Sequence, residues 1–188
     1  MKYRKILEIA KHSPEKVDFT KLRLSFAESE EYIPCIPDID LAKKLERFLK
    51  DGDIKKASEV IKKILDNYYL DINAHVIADF IFDELNDKGK SYFHRTFAKG
   101  LIDSILDSGD GKTFETAYKV IDIREEYVIL ETMGILANHQ EFVEWQGHKY
   151  DVFEEFDPAT GMIKYIHFNI DIPKKWLDEY EIRKSLLN

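Results

Sequence analysis

Carboxylates and histidines are the side chains through which this 188-residue chain can do acid/base chemistry. Asp110, Glu125 and Glu126, with a histidine drawn from His75, His94 and His167, make a candidate set. A carboxylate and an imidazole in such a set can pass a proton to and from a substrate, as a hydrolase-type enzyme requires. If Glu125 and Glu126 lie in a strand, adjacent side chains face opposite ways, so at most one of them serves a site with His139, His148 or His167. His75 and His94 fall on the two arms of one expected helical hairpin. With its turn centred near residues 88–89, they sit about eight residues out of level, roughly 12 Å at 1.5 Å per residue. That is too far for two ligands of one zinc, so no metal site is expected. His75 is expected to pair with Asp79 one turn on, and His94 to be a hydrogen-bonded core residue.

The glycine-rich text 107–113 invites two further readings. Gly111-Lys112-Thr113 has the ending of a phosphate loop, but that motif needs glycine at position 106, which is Leu, and a preceding strand. Asp107-Ser108-Gly109-Asp110-Gly111 has oxygen ligands at short spacing, but no bidentate Glu follows at the EF-hand distance. A helix C-cap at Gly109 and a turn at Gly111 account for both glycines. No cofactor is therefore expected. Ser108 lacks a strand-elbow setting, and the one cysteine, Cys35, stands in the extended text Ile33-Pro34-Cys35-Ile36-Pro37 with no adjacent base.

The elements that must carry these side chains change character near residue 108. Before it, apolar residues recur at helical spacing. Helices are expected at about 2–11 and at 15–28, the second beginning at Pro14. Leu41, Leu45, Phe48 and Leu49 form one stripe and Ala57, Ile61, Ile64 and Leu65 another, separated by a turn in which Gly52 ends one helix and Asp53 caps the next. A second hairpin follows, with Asp71 capping Ala74, Ile77, Ala78, Ile81 and Leu85, a turn at 86–89, and Phe93, Phe97, Leu101 and Ile105 returning. The turns are 34 residues apart, the tetratricopeptide period. Ala57, and more weakly Ser91, are the small residues that let paired helices approach. After residue 108 the period shortens. Phe142 to Trp145, the pair Gln146-Gly147 and Tyr150 to Phe153 predict a β-hairpin, and a second turn at 157–161 leads into residues 162–170. Ala117–Ile121 and Tyr127–Met133 are expected strands, although the Glu- and Leu-rich text at 127–137 also suits a helix. Pro173 opens a last helix carrying Trp176, Leu177, Tyr180 and Leu187. The expected fold is α+β: tetratricopeptide-like hairpins over 1–107 packed against an antiparallel sheet of four or five strands with a final helix over 108–188, as one compact unit.

Charge narrows the partners. The formal excess of −8 sits in residues 108–171, where 13 Asp and Glu face 5 Lys and Arg. Nucleic acid and anionic membrane draw their affinity from Lys and Arg, so neither is an expected partner, whereas a basic protein is. Charges interrupt the first eight residues where a signal core would need apolar ones, and no run of about 18 apolar residues occurs anywhere. A soluble protein of the reducing cytoplasm is expected.

The text Ser108-Gly109-Asp110-Gly111-Lys112-Thr113, Glu115-Thr116-Ala117-Tyr118 and Glu125-Glu126-Tyr127 resembles the signature of an uncharacterised bacterial family, domain of unknown function 4919. Asp18-Phe19, Lys21-Leu22-Arg23, Gly52-Asp53, Ala74-His75, Phe93-His94, Tyr150-Asp151 and Phe168-Asn169-Ile170 extend the resemblance over roughly residues 15–175. It implies no activity and assigns no catalytic residue. Relatives in such a family often carry an export signal, a feature the charged first residues here do not match.

Two functions are compatible with these features. One is a small protein-interaction module that presents an acidic surface. The other is a small hydrolase-type enzyme with its carboxylate and histidine site near the 108–127 loop.

Overall fold

The structure, a computed structural model, describes residues 2–34, 38–136, 139–157 and 161–186. By internal packing the chain divides into a helical unit, Met1–Ser29 with Cys35–Ile102, and a sheet unit, Glu30–Pro34 with Asp103–Asn188. The fold class is α+β, with helices first, then a sheet and a last helix. Cys35 and Leu187 lie outside the described residues.

Aspartates start the helices of the first unit. After α1 (Lys2–His12), Asp18 accepts a hydrogen bond from the Lys21 amide at 2.9 Å and opens α2 (Phe19–Ala27). The helix expected to run from Pro14 is thus two pieces. Pro14–Lys16 forms a single 3-10 turn, Val17 is extended, and Asp18 restarts the chain. Asp38 caps α3 (Ile39–Lys50), Asp53 caps α4 (Ile54–Asn67) and Asp71 caps α5 (Ile72–Glu84), each through its Oδ1. These caps satisfy amide groups that a helix start leaves unpaired. Asp87 does the same for α6 (Lys88–Leu106), accepting from the Lys90 amide at 3.1 Å.

Both expected hairpins form. Gly52 turns α3 into α4 with φ of 70°, and Asn86 turns α5 into α6 with φ of 60°. Leu45, Ala57, Val60, Ile61, Leu65, Ala74, Ala78 and Ile81 close a core in which Ala57 and Ala78 are fully buried. Ser91, at the second small position, is buried and donates to Asp79 at 2.6 Å.

The sheet unit holds β1 (Tyr118–Lys119), α7 (Arg124–Thr132), β2 (His139–Trp145), β3 (His148–Asp157), β4 (Met162–Asn169) and α8 (Asp171–Leu186). Its sheet has the order β1-β4-β3-β2. Two expectations need correction. The sheet is mixed, because β1 runs parallel to β4 while the other pairs are antiparallel. A hairpin forces antiparallel pairing, but β1 leaves into a helix and is free of that constraint. Residues 124–132 are helical, including most of the stretch expected as a strand. Glu125, Glu126, Ile129 and Leu130 are buried there, a spacing that fits a helical face and not the alternation of a strand.

The predicted hairpin is present. Gln146 and Gly147, with φ of 50° and 82°, join β2 to β3 and set Trp145 opposite His148. Positive φ at both positions matches the twist of the flanking strands. Residues 158–160 of the second turn lie outside the described residues.

The buried position of Ala57 yields a test. Ala57→Leu forces extra methylenes between packed helices and should destabilise the protein by about 1–3 kcal/mol despite leucine's good helix propensity. Urea unfolding checks this, and a variant as stable as the parent would contradict the close approach.

Candidate functional site

The 108–119 segment is the first place to look, since Asp110 lies there. The segment closes on itself. Asp110 Oδ1 accepts from the Thr116 hydroxyl at 2.6 Å and from the Lys112 amide at 3.1 Å, and the Asp110 and Gly111 amides both donate to the Thr116 carbonyl, at 2.9 and 2.8 Å. The Lys112 ammonium sits 3.1 Å from Asp110 Oδ2. The Thr116 hydroxyl, then the Lys112 amide and ammonium, hold the Asp110 carboxyl down to about 2. Such a group stays ionised and is a poor proton donor or acceptor near neutral pH. Ser108 Oγ donates to the Ile105 carbonyl at 2.6 Å and accepts from the Lys119 amide at 2.8 Å. Gly111 has φ of 68°, and a Cβ there would stand 2.4 Å from the Tyr118 ring. Only glycine meets both conditions without strain.

His167, on β4, meets this loop. Its amide and its Nδ1 both lie against the Gly111 carbonyl, at 2.8 and 3.0 Å. A carbonyl only accepts, so this contact places the proton on Nδ1. Phe114 covers the ring edge-on at 4.7 Å and stacks on Trp145 at 5.2 Å, with Tyr150 at 5.0 Å. The loop therefore lies over one face of the sheet. Asp110 and His167 are neighbours through Gly111, each occupied by loop structure.

Glu125 and Glu126 lie in the first turn of α7, and both are buried. The expectation that a pleat would separate them fails because they are helical. Glu125 Oε2 accepts from the Ile121 amide at 2.8 Å, and the Tyr32 hydroxyl donates to the Ile121 carbonyl at 2.5 Å. Glu126 is 0% exposed; its oxygens find no donor among the described residues and lie beside the Asp151 carboxylate, with which a protonated Glu126 shares a hydrogen bond. Burial first, then the charge of Asp151 on β3, pushes its carboxyl up to about 9. Burial also raises Asp151, against restraining bonds from Gln140 and Glu126. Glu126 accordingly carries its proton at neutral pH, beside an acceptor that is itself tied down. Gln140 Nε2 donates to Asp151 Oδ2 at 3.0 Å, and the half-exposed Tyr127 donates to Gln140 Oε1 at 2.9 Å.

His75 and His94 are in contact, which corrects the separation expected for them. Their Nδ1 atoms are 2.9 Å apart, and His75 Nε2 lies 2.9 Å from the Tyr69 carbonyl. The turn centres on Asn86, not on 88–89, so residue 75 is level with residue 97. Phe97 indeed stacks on His75 at 4.2 Å. His94 is then about 4.5 Å out of level, within reach of a side chain. Asp79, the expected partner of His75, instead takes the Arg95 guanidinium and Ser91. Burial pushes His75 down to about 3 and His94 down to about 4, so both are neutral at physiological pH. His75 donates through Nε2 to Tyr69, leaving Nδ1 to accept from His94. Both belong to the helical unit and serve its packing.

Of the three remaining histidines, His12 has its Nδ1 at 2.7 Å from the Glu8 carbonyl in α1. His148 Nδ1 pairs with Asp171 at 2.7 Å, and His139 lies exposed on β2. The charges acting on Glu126 are Asp151, Asp122 and Glu125, with no histidine among them. No group of three His, Cys, Asp or Glu among the described residues is placed to hold a metal ion. Asp151, Gln140 and Tyr127 are the functional-site neighbours that sequence reasoning missed. Tyr127 and Asp151 stand in the text that carries the family resemblance, and Gln140 does not.

A second surface lies along the same sheet. β2 is its outermost strand and is exposed or half-exposed along all seven residues. Phe142, Phe156, Ile163 and Tyr165 are each about half exposed on β2, β3 and β4. Salt bridges of the sheet unit engage Asp110, Asp122, Asp171, Asp178 and Glu179, while among the described residues Glu141 and Glu144 of β2 form none, Glu144 standing opposite Lys149, which pairs with Asp178.

The buried acid gives a signed prediction. Folded Glu126 keeps its proton up to about 9, whereas the ordinary value is 4.5. Between these limits the unfolded chain binds fewer protons than the folded one, so this group's contribution to stability falls as pH rises. Glu126→Gln keeps the shape and removes the titration. At about pH 5 variant and parent should differ by no more than about 1 kcal/mol, and at about pH 8.5 the variant should be more stable by about 2 kcal/mol or more. Urea titrations at the two pH values measure the difference, and one that does not grow with pH contradicts a protonated Glu126.

Among the described residues no helix is long and apolar enough to cross a membrane. No curated protein and no solved structure matches the chain. The family model described as Domain of unknown function (DUF4919) matches residues 3–181, a span that includes the interlocked 108–119 segment and the Glu126 helix. Matched over nearly its whole length, the chain belongs to the DUF4919 family.

Proposed function

We propose that the protein is an interaction module whose sheet unit offers an acidic, partly apolar surface to a basic partner protein. The observation that carries this reading is the outer ribbon of β2, β3 and β4, where aromatic and aliphatic side chains stand exposed beside Glu141 and Glu154, while Glu144 and Glu155 lie opposite Lys149 and Lys164 on the other face. Phe156 and Ile163 face each other across β3 and β4, and Tyr165 and His139 both lie opposite Glu154, all on one face of the sheet. Phe142 and Glu144 lie on the other face of β2. On the face of Phe156, Ile163 and Tyr165 the strands carry Glu141 and Glu154 and no lysine or arginine, the composition of a recognition surface with apolar contacts for affinity and charge for steering.

The acid/base candidates support this reading by how they are employed. The Asp110 acceptors are taken up by its own loop, Glu126 is sealed from solvent, and His75 and His94 bond to each other.

Binding of a synthetic peptide of alternating lysine and valine, followed through tryptophan fluorescence with Trp176→Phe isolating Trp145, tests the proposal. Affinity should fall by about ten-fold or more between roughly 50 and 500 mM NaCl, because exposed charges are screened within about 10 Å at 0.1 M. A glutamate and valine peptide should not bind. No association of the basic peptide, or association indifferent to salt, contradicts the proposal.

A further inference from the structure

We propose that the β2 edge is the docking line itself, and that it takes an extended basic segment of a partner protein as an added strand. This rests on the interaction reading above and names its mode and occupant.

β2 ends the sheet, with β3 on one side and no strand on the other among the described residues. Its register with β3 is unbroken, one residue to one residue from His139↔Glu154 to Trp145↔His148, with no bulge. In an antiparallel pair every second residue turns its N–H and C=O away from its neighbour, so β2 presents a regular row of unused backbone donors and acceptors. Seven residues at about 3.4 Å each make an edge long enough to hold a strand. The opposite edge, β1, has only two residues and offers no such row.

Proteins normally blunt an exposed edge with charged side chains, proline, a bulge or a covering element. The β2 text, His139-Gln140-Glu141-Phe142-Val143-Glu144-Trp145, has no proline and no bulge; its edge charges are Glu141 and Glu144, which turn away an acidic strand and not a basic one, and all its residues are exposed or half-exposed. It is also held firmly on its inner side. Gln140 ties it to Asp151 of β3 and to Tyr127 of α7, and Trp145 stacks on Phe114. A rigid edge loses little entropy when a strand is added.

Charge selects the occupant. Glu141 lies on one face of β2 and Glu144 on the other, where it stands opposite Lys149, whose ammonium is held by Asp178 at 2.7 Å, so an added strand meets a carboxylate on either face. Lysine or arginine in the incoming strand pairs with these groups, while Phe142, Val143 and Trp145 take its apolar residues. Two copies of this chain meeting edge to edge would instead set the glutamates of each face near their counterparts, Glu141 toward Glu141 and Glu144 toward Glu144, which like-charge repulsion disfavours. The occupant is therefore a basic, extended segment of another protein.

The test uses the full chain, labelled with nitrogen-15, and two peptides of eight residues alternating lysine and valine, one of them methylated at two adjacent central backbone amides so that both of its edges are blocked. The unmodified peptide should protect alternate amides within 139–145 from hydrogen exchange. Backbone methylation should weaken binding by about ten-fold or more, and so should the double substitution Glu141→Lys with Glu144→Lys. Equal affinity for the two peptides overturns strand addition while leaving the acidic interaction surface standing. Failure of both peptides to bind removes the interaction reading as well. A chain that sediments as a dimer without peptide, with its β2 amides already protected, assigns the edge to a second copy and overturns the proposed occupant.

Discussion

Glu126 has to stay neutral, and the surrounding sheet unit is built on that constraint. An ionised carboxylate without a partner and without water is costly to bury, so the group keeps its proton. Burial raises Asp151 next to it as well, and Gln140 and then Glu126 are the side chains whose hydrogen bonds restrain Asp151. Gln140 belongs to β2 and its other end accepts from Tyr127 of α7, so one amide joins a helix, the central strand β3 and the outermost strand. The inner side of β2 is fixed by this arrangement while its outer side remains open. The acidic excess of the sequence is divided in the same way: Glu125, Glu126 and Asp151 go inside, and Glu141 and Glu144 remain in water.

The most distinctive text of the chain, Ser108 to Lys119, turns out to be densely self-satisfying. Asp110, Thr116, Ser108 and the Gly111 carbonyl each have named partners within the loop or on the sheet, and Gly111 is held against the Tyr118 ring. Phosphate-like spelling here reflects a tight crossing from α6 into β1. Small residues and hydroxyls are needed there for the same reasons that they are needed in nucleotide loops, close backbone approach and local hydrogen bonds.

Local chemistry was readable from the sequence, and distant pairing was not. The aspartate caps at 53 and 71, the Gln146-Gly147 turn and the two helical hairpins all follow from interactions spanning a few residues, whereas the cap at Asp18 was hidden behind the stronger start signal of Pro14. Misplacing one turn by two or three residues was enough to separate His75 from His94, because an error at a hairpin turn doubles along the returning helix. Helix α7 was obscured because Val, Ile and Tyr suit strands, while its burial pattern follows helical spacing. The Glu126 environment depends on Asp151 and Gln140, which reach it through the register of β2 on β3, and no local pattern encodes that pairing. The parallel placement of β1 beside β4 escaped for the same reason.

The protonation of Glu126 can be observed without unfolding the protein. A carbon-13 carboxyl titration of the folded chain, with the Glu126 resonance assigned by its loss in Glu126→Gln, reads the state of that group directly. The account predicts a resonance in the protonated position through neutral pH, moving only near 9. A resonance that moves near 4.5, the ordinary glutamate value, would show a charged Glu126 and contradict the neutral acid on which the inner fixation of β2 rests.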